Sequence, residues 1–478
     1  MTSEVAAETC ILGGGPAGAV VARRLAELGH DTLLVDRADE NGPARAESLA
    51  PSILPILESL QLRAEVEAAA FGRERRALVL WASSAVEEKE FAGAAALLVE
   101  RTQFDKRLRG AAARAGVRLM PAARARSPRR LPSGGWAIPV ATPQGATLVT
   151  ASFLVDARGK RRRGGKEEGT PRTAAISAAW APADRSFVET RIEAGPDAWF
   201  WGSPLPGDAY AGTIFLDAER MAGVSMASRA VCYRQLLAQS QLLGRLLQGK
   251  MLGPVRVCDA TGRMSPDLIG QDFIRVGEAA VAIDPLSSQG IQDAILSAIQ
   301  ASAAVHTILT TTDGAPALEF YRERRQAAAA NSRRNAARLY QANCDRNSFW
   351  MRRSGPAESP AVGGASQLRA GTSPPAELRI SPALRIVDVP VLAGALIRRA
   401  RALSHPQLEH PIAYLGGIAL APLLNDVRAA SARSEILSRW TRRVPPETAS
   451  TIINWMWTVG VLDPQPSESE PRSASATC

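Results

Sequence analysis

Gly13-Gly14-Gly15-Pro16-Ala17-Gly18 can hold a phosphate without a charged side chain. In such a run Gly13 permits a tight turn out of a strand and Gly15 lets the backbone approach a pyrophosphate. Gly18 lets the following helix pack closely on the strand. That helix, beginning at Pro16 and Ala17, would aim its first N–H groups at the anion. Asp36 lies where an acid can bond the adenosine ribose hydroxyls, with Arg37 next to it. The chemistry implied is binding of a dinucleotide.

A second motif, Gly277-Glu278-Ala279-Ala280-Val281-Ala282-Ile283-Asp284-Pro285-Leu286-Ser287-Ser288-Gln289-Gly290-Ile291, narrows the dinucleotide. The strand before it would deliver an acid toward a ribityl chain. The turn from Pro285 to Gly290 then opens a helix whose positive end can face the N1–C2=O edge of a flavin, where the reduced ring carries negative charge. Together the two motifs read as FAD.

The elements needed to position these residues are legible around them. Residues 8–12 form a short apolar strand, 16–28 have helical spacing, and 32–36 form a second strand, making a βαβ opening. A helix over 104–115, a strand over 117–120 and a hairpin from 136–140 and 147–155 follow. Residues 174–226 read as short strands and turns, and 225 onward as helical. A strand is expected at 273–276, with long helices over 290–308 and 319–343. The expected domains are an FAD-binding domain from 1–175 and 255–350, a substrate-domain sheet from 176–254 with further strands inserted around 50–100, and a breaker-rich linker over 354–382. A small helical domain over 383–462 and a disordered tail over 463–478 complete the chain.

Composition narrows the class. Five scattered cysteines and four histidines show no metal-ligand spacing, so no metal or disulfide framework is expected. The net charge of +10 is carried almost wholly by arginine, which suits phosphates, carboxylates and interfaces. The densest basic run, 158–166, lacks the interleaved aromatics of single-strand binders, so it reads as a solvated loop and no nucleic-acid partner is expected. The longest apolar stretch, 412–424, is too short for a bilayer and contains Pro422. A cytoplasmic protein with no export signal and no membrane contact is expected.

Several further segments carry a family resemblance. Arg45-Ala46-Glu47-Ser48-Leu49 resembles a Gly-Glu-Ser segment beside a flavin, with Ala46 in place of glycine. Val99-Glu100-Arg101 with Phe104-Asp105 resembles a segment whose arginine contacts FAD. Leu154-Val155-Asp156-Ala157-Arg158-Gly159 resembles an Asp-Ala-Thr-Gly turn, with Arg158 departing. With the two glycine motifs, in which Asp36 stands where many relatives have Glu and Glu278 where they have Asp, these segments resemble the flavoprotein monooxygenases of the p-hydroxybenzoate hydroxylase fold. The branch is the one that includes tryptophan halogenases and geranylgeranyl reductases. The resemblance implies an α/β fold: a Rossmann-like FAD-binding domain of the p-hydroxybenzoate hydroxylase (GR2) type, an antiparallel-sheet substrate domain and a small, mainly helical C-terminal domain.

The resemblance also implies roles. Gly13, Gly15, Pro16, Ala17, Gly18, Asp36, Arg37, Arg45, Ser48, Arg101, Glu278, Asp284, Gly290 and Ile291 would hold FAD. Glu47, Ser48, Pro285 and Gln289 would surround the reacting centre, with Glu47 orienting an indole N–H. Oxygen transfer would use O2 and a flavin C4a-hydroperoxide, with electrons from NAD(P)H or a separate reductase. Trp199-Phe200-Trp201-Gly202-Ser203-Pro204 resembles the halogenase Trp-x-Trp-x-Ile-Pro segment, although period-two tryptophans also share a face for simple packing. Halogenases place a lysine between flavin and substrate. Here the first lysine is Lys89, inside the charged run Glu87-Glu88-Lys89-Glu90, which reads as a solvated hairpin.

The expected activity is therefore hydroxylation of an aromatic substrate. The departures together with the segment beyond Pro382 resemble the flavoproteins that modify a tryptophan in a partner polypeptide during tryptophylquinone maturation. Trp440, Arg442, Trp455 and Trp457 would then serve as partner anchors or as a helical core. The competing readings are a halogenase, a flavin reductase of unsaturated lipids, and a non-catalytic protein that binds FAD or nucleic acid.

Overall fold

The computed structural model describes residues 3–37, 45–91, 93–161, 171–355, 369, 372–408, 410–427 and 431–465. The chain divides into two compact units, Met1–Pro356 and Ala357–Cys478.

The first unit is organised around the strand Ser3–Leu12, whose last residues Cys10, Ile11 and Leu12 are fully buried. It pairs in parallel with Thr32–Val35 on one side and Gly145–Asp156 on the other. Phe273–Arg275 continues the sheet beyond Gly145–Asp156, also in parallel, and the hairpin partner Trp136–Thr142 joins it antiparallel. A parallel core covered on both faces needs uninterrupted apolar strands, and Thr32-Leu33-Leu34-Val35 supplies one, buried throughout. Helix Pro16–Glu27 packs against helices Arg101–Arg114 and Gly290–Thr310. Small residues at the contacts, Ala17, Gly18 and Ala22 on one helix and Ala294, Ala298 and Ala301 on another, let the backbones approach closely.

A second sheet has seven strands in the order Lys250–Asp259, Thr173–Ala181, Ala209–Asp217, Trp199–Leu205, Thr190–Ala194, Arg76–Leu80 and Glu87–Glu90. All neighbours are antiparallel except Thr190–Ala194 with Arg76–Leu80. Alternation assigns the two faces. Ile176, Trp180, Phe200, Tyr210 and Ile214 point to one side and pack with Tyr233 and Leu237 of helix Arg229–Leu237. The edge strand Glu87–Glu90 is exposed at every position, with Lys89 opposite Ala77, as a solvated hairpin requires.

In the second unit, helices Arg433–Trp440 and Pro446–Thr458 enclose a core that includes Ile436, Trp440, Ile452, Ile453 and Met456. Trp440 is fully buried, so it belongs to that core and is no surface anchor. The expectation of a mainly helical segment misses the hairpin of Arg385–Ala393 with Leu396–Ser404. Ala, Leu and Arg in the second strand favour helix intrinsically. The β-branched alternation of the first strand and a turn with Gly394 at φ 65° prevail. The expected linker and tail are also shorter than the sequence suggested. Glu377–Ile380, with Leu378 fully buried, pairs with Ser431–Ala432 and Leu462–Pro464. The remainder of the linker at 356–368 and 370–371, residues 162–166 of the basic run with the 167–170 that follow, and the tail at 466–478 lie outside the described residues. Among the described residues no helix is long and apolar enough to cross a membrane.

Candidate cofactor and active site

The glycine loop has the geometry of a phosphate cradle. Gly13 sits at φ 104°, and a Cβ there would lie 2.6 Å from the Ala157 carbonyl oxygen. Gly18 is tighter still: its Cβ would lie 1.8 Å from the Gly13 oxygen. At Gly15, by contrast, nothing lies within 4 Å of the Cβ position, which leaves the backbone open to a ligand. Helix Pro16–Glu27 then starts with no side-chain cap and no acid in its first turn, so its N–H groups are available to an anion.

Asp36 closes the next strand. Its Oδ2 lies 3.3 Å from Arg109, whose guanidinium also donates to the Gly14 carbonyl at 3.3 Å. The sequence reading did not single out Arg109. Its signal was the spacing Arg101, Asp105, Arg109, which puts three alternating charges on one helical face. Arg101 donates to Asp105 at 3.3 and 3.2 Å and to Glu47 at 3.1 Å. Burial opposes the charge on Arg101, and the carboxylates of Asp105 and Glu47 outweigh it and hold the guanidinium protonated. The strand Ala46–Leu49 that carries Glu47 and Ser48 pairs with Ala96–Glu100, so the Arg45 segment and the Arg101 helix form one wall.

Glu100 locks this wall. Its carboxylate accepts from the backbone N–H groups of Thr102 at 3.0 Å, Gln103 at 2.9 Å and Arg45 at 3.3 Å. Burial alone would raise its pKa, but the three donors prevail and hold it below the ordinary carboxylate value. A depressed acid contributes stability above its unfolded pKa and loses it as the pH falls through the folded value. Glu100→Ala is therefore expected to cost about 1 kcal/mol at neutral pH. Thermal melts should show the gap between variant and wild type closing below about pH 4.

The downstream motif turns as expected, with one difference. Gly277 is at φ 57°, and a Cβ there would lie 2.8 Å from that of Ala17, so the two cofactor motifs touch. Asp284, however, directs its carboxylate away from the cavity wall. It accepts from the Leu286 N–H at 2.9 Å and from the Tyr340 hydroxyl at 3.3 Å, and burial raises its pKa. It shapes the turn Pro285–Ser287 from behind. Gln289 is exposed and Ser288 is left-handed at φ 51°.

One cavity of about 1510 Å³ joins these parts. It exceeds the roughly 300–1,000 Å³ of drug-sized ligand pockets. Of the expected residues, Gly13, Gly15, Pro16, Ala17, Asp36, Arg37, Arg45, Glu47, Ser48, Arg101, Glu278, Pro285, Gly290 and Ile291 line it; Asp284, Gln289 and the packing residue Gly18 do not. The residues fit FAD. The open Gly15 backbone and the uncapped helix suit its pyrophosphate, Asp36 its ribose, and the Pro285–Gly290 turn its ring.

The far wall is the second sheet. Ala175, Ser177 and Ala179 of one strand, Trp199 and Trp201 of the next, and Ala211, Thr213 and Phe215 of a third line the cavity. These are alternate positions, so the same period that buries Ile176 and Trp180 leaves small residues facing inward, with room for a flat guest. Trp199 stacks on Phe215 at 3.8 Å and 8°, and the edge of Trp81 meets Trp199 at 6.3 Å. Lys89 is not in the wall. Lys160 is, which the sequence reading did not anticipate; it lies 3.7 Å from Glu278, at the turn after Asp156, and not on the sheet carrying the tryptophans.

Comparison with known proteins agrees with this geometry. Residues 6–196 match the model of an FAD binding domain. A tryptophan 2-halogenase of Chondromyces crocatus is 27% identical over 361 residues, spanning 71% of this chain and 69% of the halogenase. A solved peptidyl tryptophan dihydroxylase, QhpG, essential for tryptophylquinone cofactor biogenesis, is 26% identical with a TM-score of 0.75, covering 95% of this chain and all of that one. The flavin-dependent halogenase CmlS has the same fold, with a TM-score of 0.76 at 18% identity, covering 98% of this chain and 97% of the halogenase.

Proposed function

From the premise that the chain belongs to the flavoprotein monooxygenase and halogenase family and is an FAD-dependent enzyme, we propose that it hydroxylates an aromatic ring, that of a tryptophan in a partner polypeptide. The observation that carries this reading is the continuity of one cavity from the phosphate cradle to a sheet face of small residues and aromatic rings. The likeness to the peptidyl tryptophan dihydroxylase over 95% of the chain supports the polypeptide substrate.

Bound FAD supplies the activation of O2, with two electrons drawn from NAD(P)H or a separate reductase. One oxygen atom enters the ring C–H bond as a hydroxyl group, and the other takes up the two electrons and two protons and leaves as water. The chain's own residues position and enclose. Gly13, Gly15 and the helix start hold the pyrophosphate, with Asp36 on the ribose. Arg45, Arg101 and Ser48 on one side and Pro285 to Ile291 on the other frame the flavin ring. Trp199, Trp201 and Phe215 give the substrate an apolar wall that limits water around the reacting atoms. Glu47, anchored by Arg101, orients the indole N–H.

Halogenation is the second reading, favoured by the Trp199 and Trp201 pair and by Lys160 in the wall. Lys160 is paired with Glu278, which leaves it less suited to hold an oxidised halide. With isotopically labelled O2, a reductase and a tryptophan-containing peptide, the product is expected to gain one labelled oxygen whether or not halide is present. A product that forms only with chloride or bromide and contains that halogen would overturn hydroxylation.

A further inference from the structure

The two halves of the cavity differ in charge. The cofactor side carries acids among its cations: Arg101 stands with Glu47 and Asp105, Arg109 with Asp36 and Lys160 with Glu278, while Arg37, Arg45 and Arg124 line the same side. On the sheet side, among the described residues, the charged lining is Arg229 and Arg256, with no acid beside them. Arg229 opens helix Arg229–Leu237 and is half-buried; its Nε is shut from water and has no hydrogen-bond partner. Arg256 stands opposite Ser177 on the edge strand and is exposed. Neither makes a side-chain hydrogen bond or an ion pair among the described residues. The exposed side chains of Met226 and Leu252 line the same end of the cavity.

A guanidinium group withdrawn from water without a partner is costly. Arg229, with its Nε placed in this way, and the exposed Arg256 are the two guanidinium groups of an otherwise uncharged wall, and their forked donors match a carboxylate. We infer that Arg229 and Arg256 form a carboxylate-reading end of the substrate cavity, so that the aromatic substrate carries an anionic group beside its ring. This rests on reading the cavity as an aromatic hydroxylation site. The carboxylate has two possible sources: an acidic residue flanking the target in a polypeptide, or the acid group of a free aromatic acid.

The test is equilibrium binding to the full-length, FAD-loaded protein at low salt, read from the flavin absorbance and by calorimetry, so that no turnover is needed. Two matched pairs serve as probes: indoleacetate with indoleacetamide, and the end-blocked peptides Asp-Trp-Asp with Asn-Trp-Asn. At least one anionic probe is expected to bind about tenfold tighter than its neutral partner. That preference should vanish in Arg229→Gln/Arg256→Gln protein whose FAD content and Tm match wild type. Preference confined to the peptide pair supports both the inference and the polypeptide reading. Preference confined to the free acid supports the inference and overturns the polypeptide reading. Equal affinity within both pairs, or a preference that survives the double substitution, overturns the inference and leaves hydroxylation of a neutral ring standing.

Discussion

Gly18→Ala protein is expected to elute from gel filtration colourless. The added methyl would sit 1.8 Å from the Gly13 carbonyl oxygen and 3.1 Å from the Cβ of Ala157. Neither the carbonyl nor the helix can yield without opening the turn that forms the cradle. Overpacking of this kind costs about 3 kcal/mol, and if the loop opens to relieve it, FAD affinity falls at least ~100-fold. The matched control is Gly110→Ala in helix Arg101–Arg114, where the nearest atom to the new Cβ is the end of the Arg114 side chain at 3.5 Å. There alanine removes a helix penalty of about 1 kcal/mol, so that variant should keep its flavin and melt slightly higher. Flavin absorbance per chain and Tm check both expectations.

Arg101→Met is the second large effect. It leaves Glu47 and Asp105 facing each other's charge in a wall where the Arg101 and Asp105 side chains are 18% and 14% exposed. Removing one partner from a buried charge cluster costs about 3 kcal/mol or more. Arg101→Lys retains the charge but loses the fork that reaches both carboxylates, so it should fall between Met and wild type. Denaturant midpoints with an unchanged m-value would identify the loss as one of stability. If Arg101→Met matched wild type in both stability and FAD content, the wall would not depend on this cluster.

These two variants mark what the sequence could and could not convey. Gly18 was legible because its constraint is local: the turn, the helix start and the close packing are all decided within a few residues. The βαβ opening and the helix from Gly290 were legible for the same reason, and so was the exposed hairpin around Lys89. Arg109 was not, since its partners Gly14 and Asp36 belong to elements far away in the chain and only the folded sheet brings them together. Asp284 was legible as a motif position, but its hydrogen bond with Tyr340, 56 residues on, reverses the direction of its side chain. The small residues at 175, 177 and 179 carried a readable alternation. Their meaning as open space depended on learning which face of the sheet the helix Arg229–Leu237 covers. In the second unit, residue types that favour helix were overruled by a turn at Gly394 and by pairing along the whole of Arg385–Ser404, a tertiary outcome that propensity does not encode.

The proposed chemistry requires that the cavity between the glycine loop and the Pro285–Gly290 turn bind FAD. The most direct measurement is the visible spectrum of the full-length protein after reconstitution with FAD and removal of free flavin. One flavin per chain, with absorbance bands shifted from those of free FAD and lost in Gly18→Ala, is the expected result. A protein that stays colourless after reconstitution, or one whose flavin uptake is unaffected by Gly18→Ala, would contradict it.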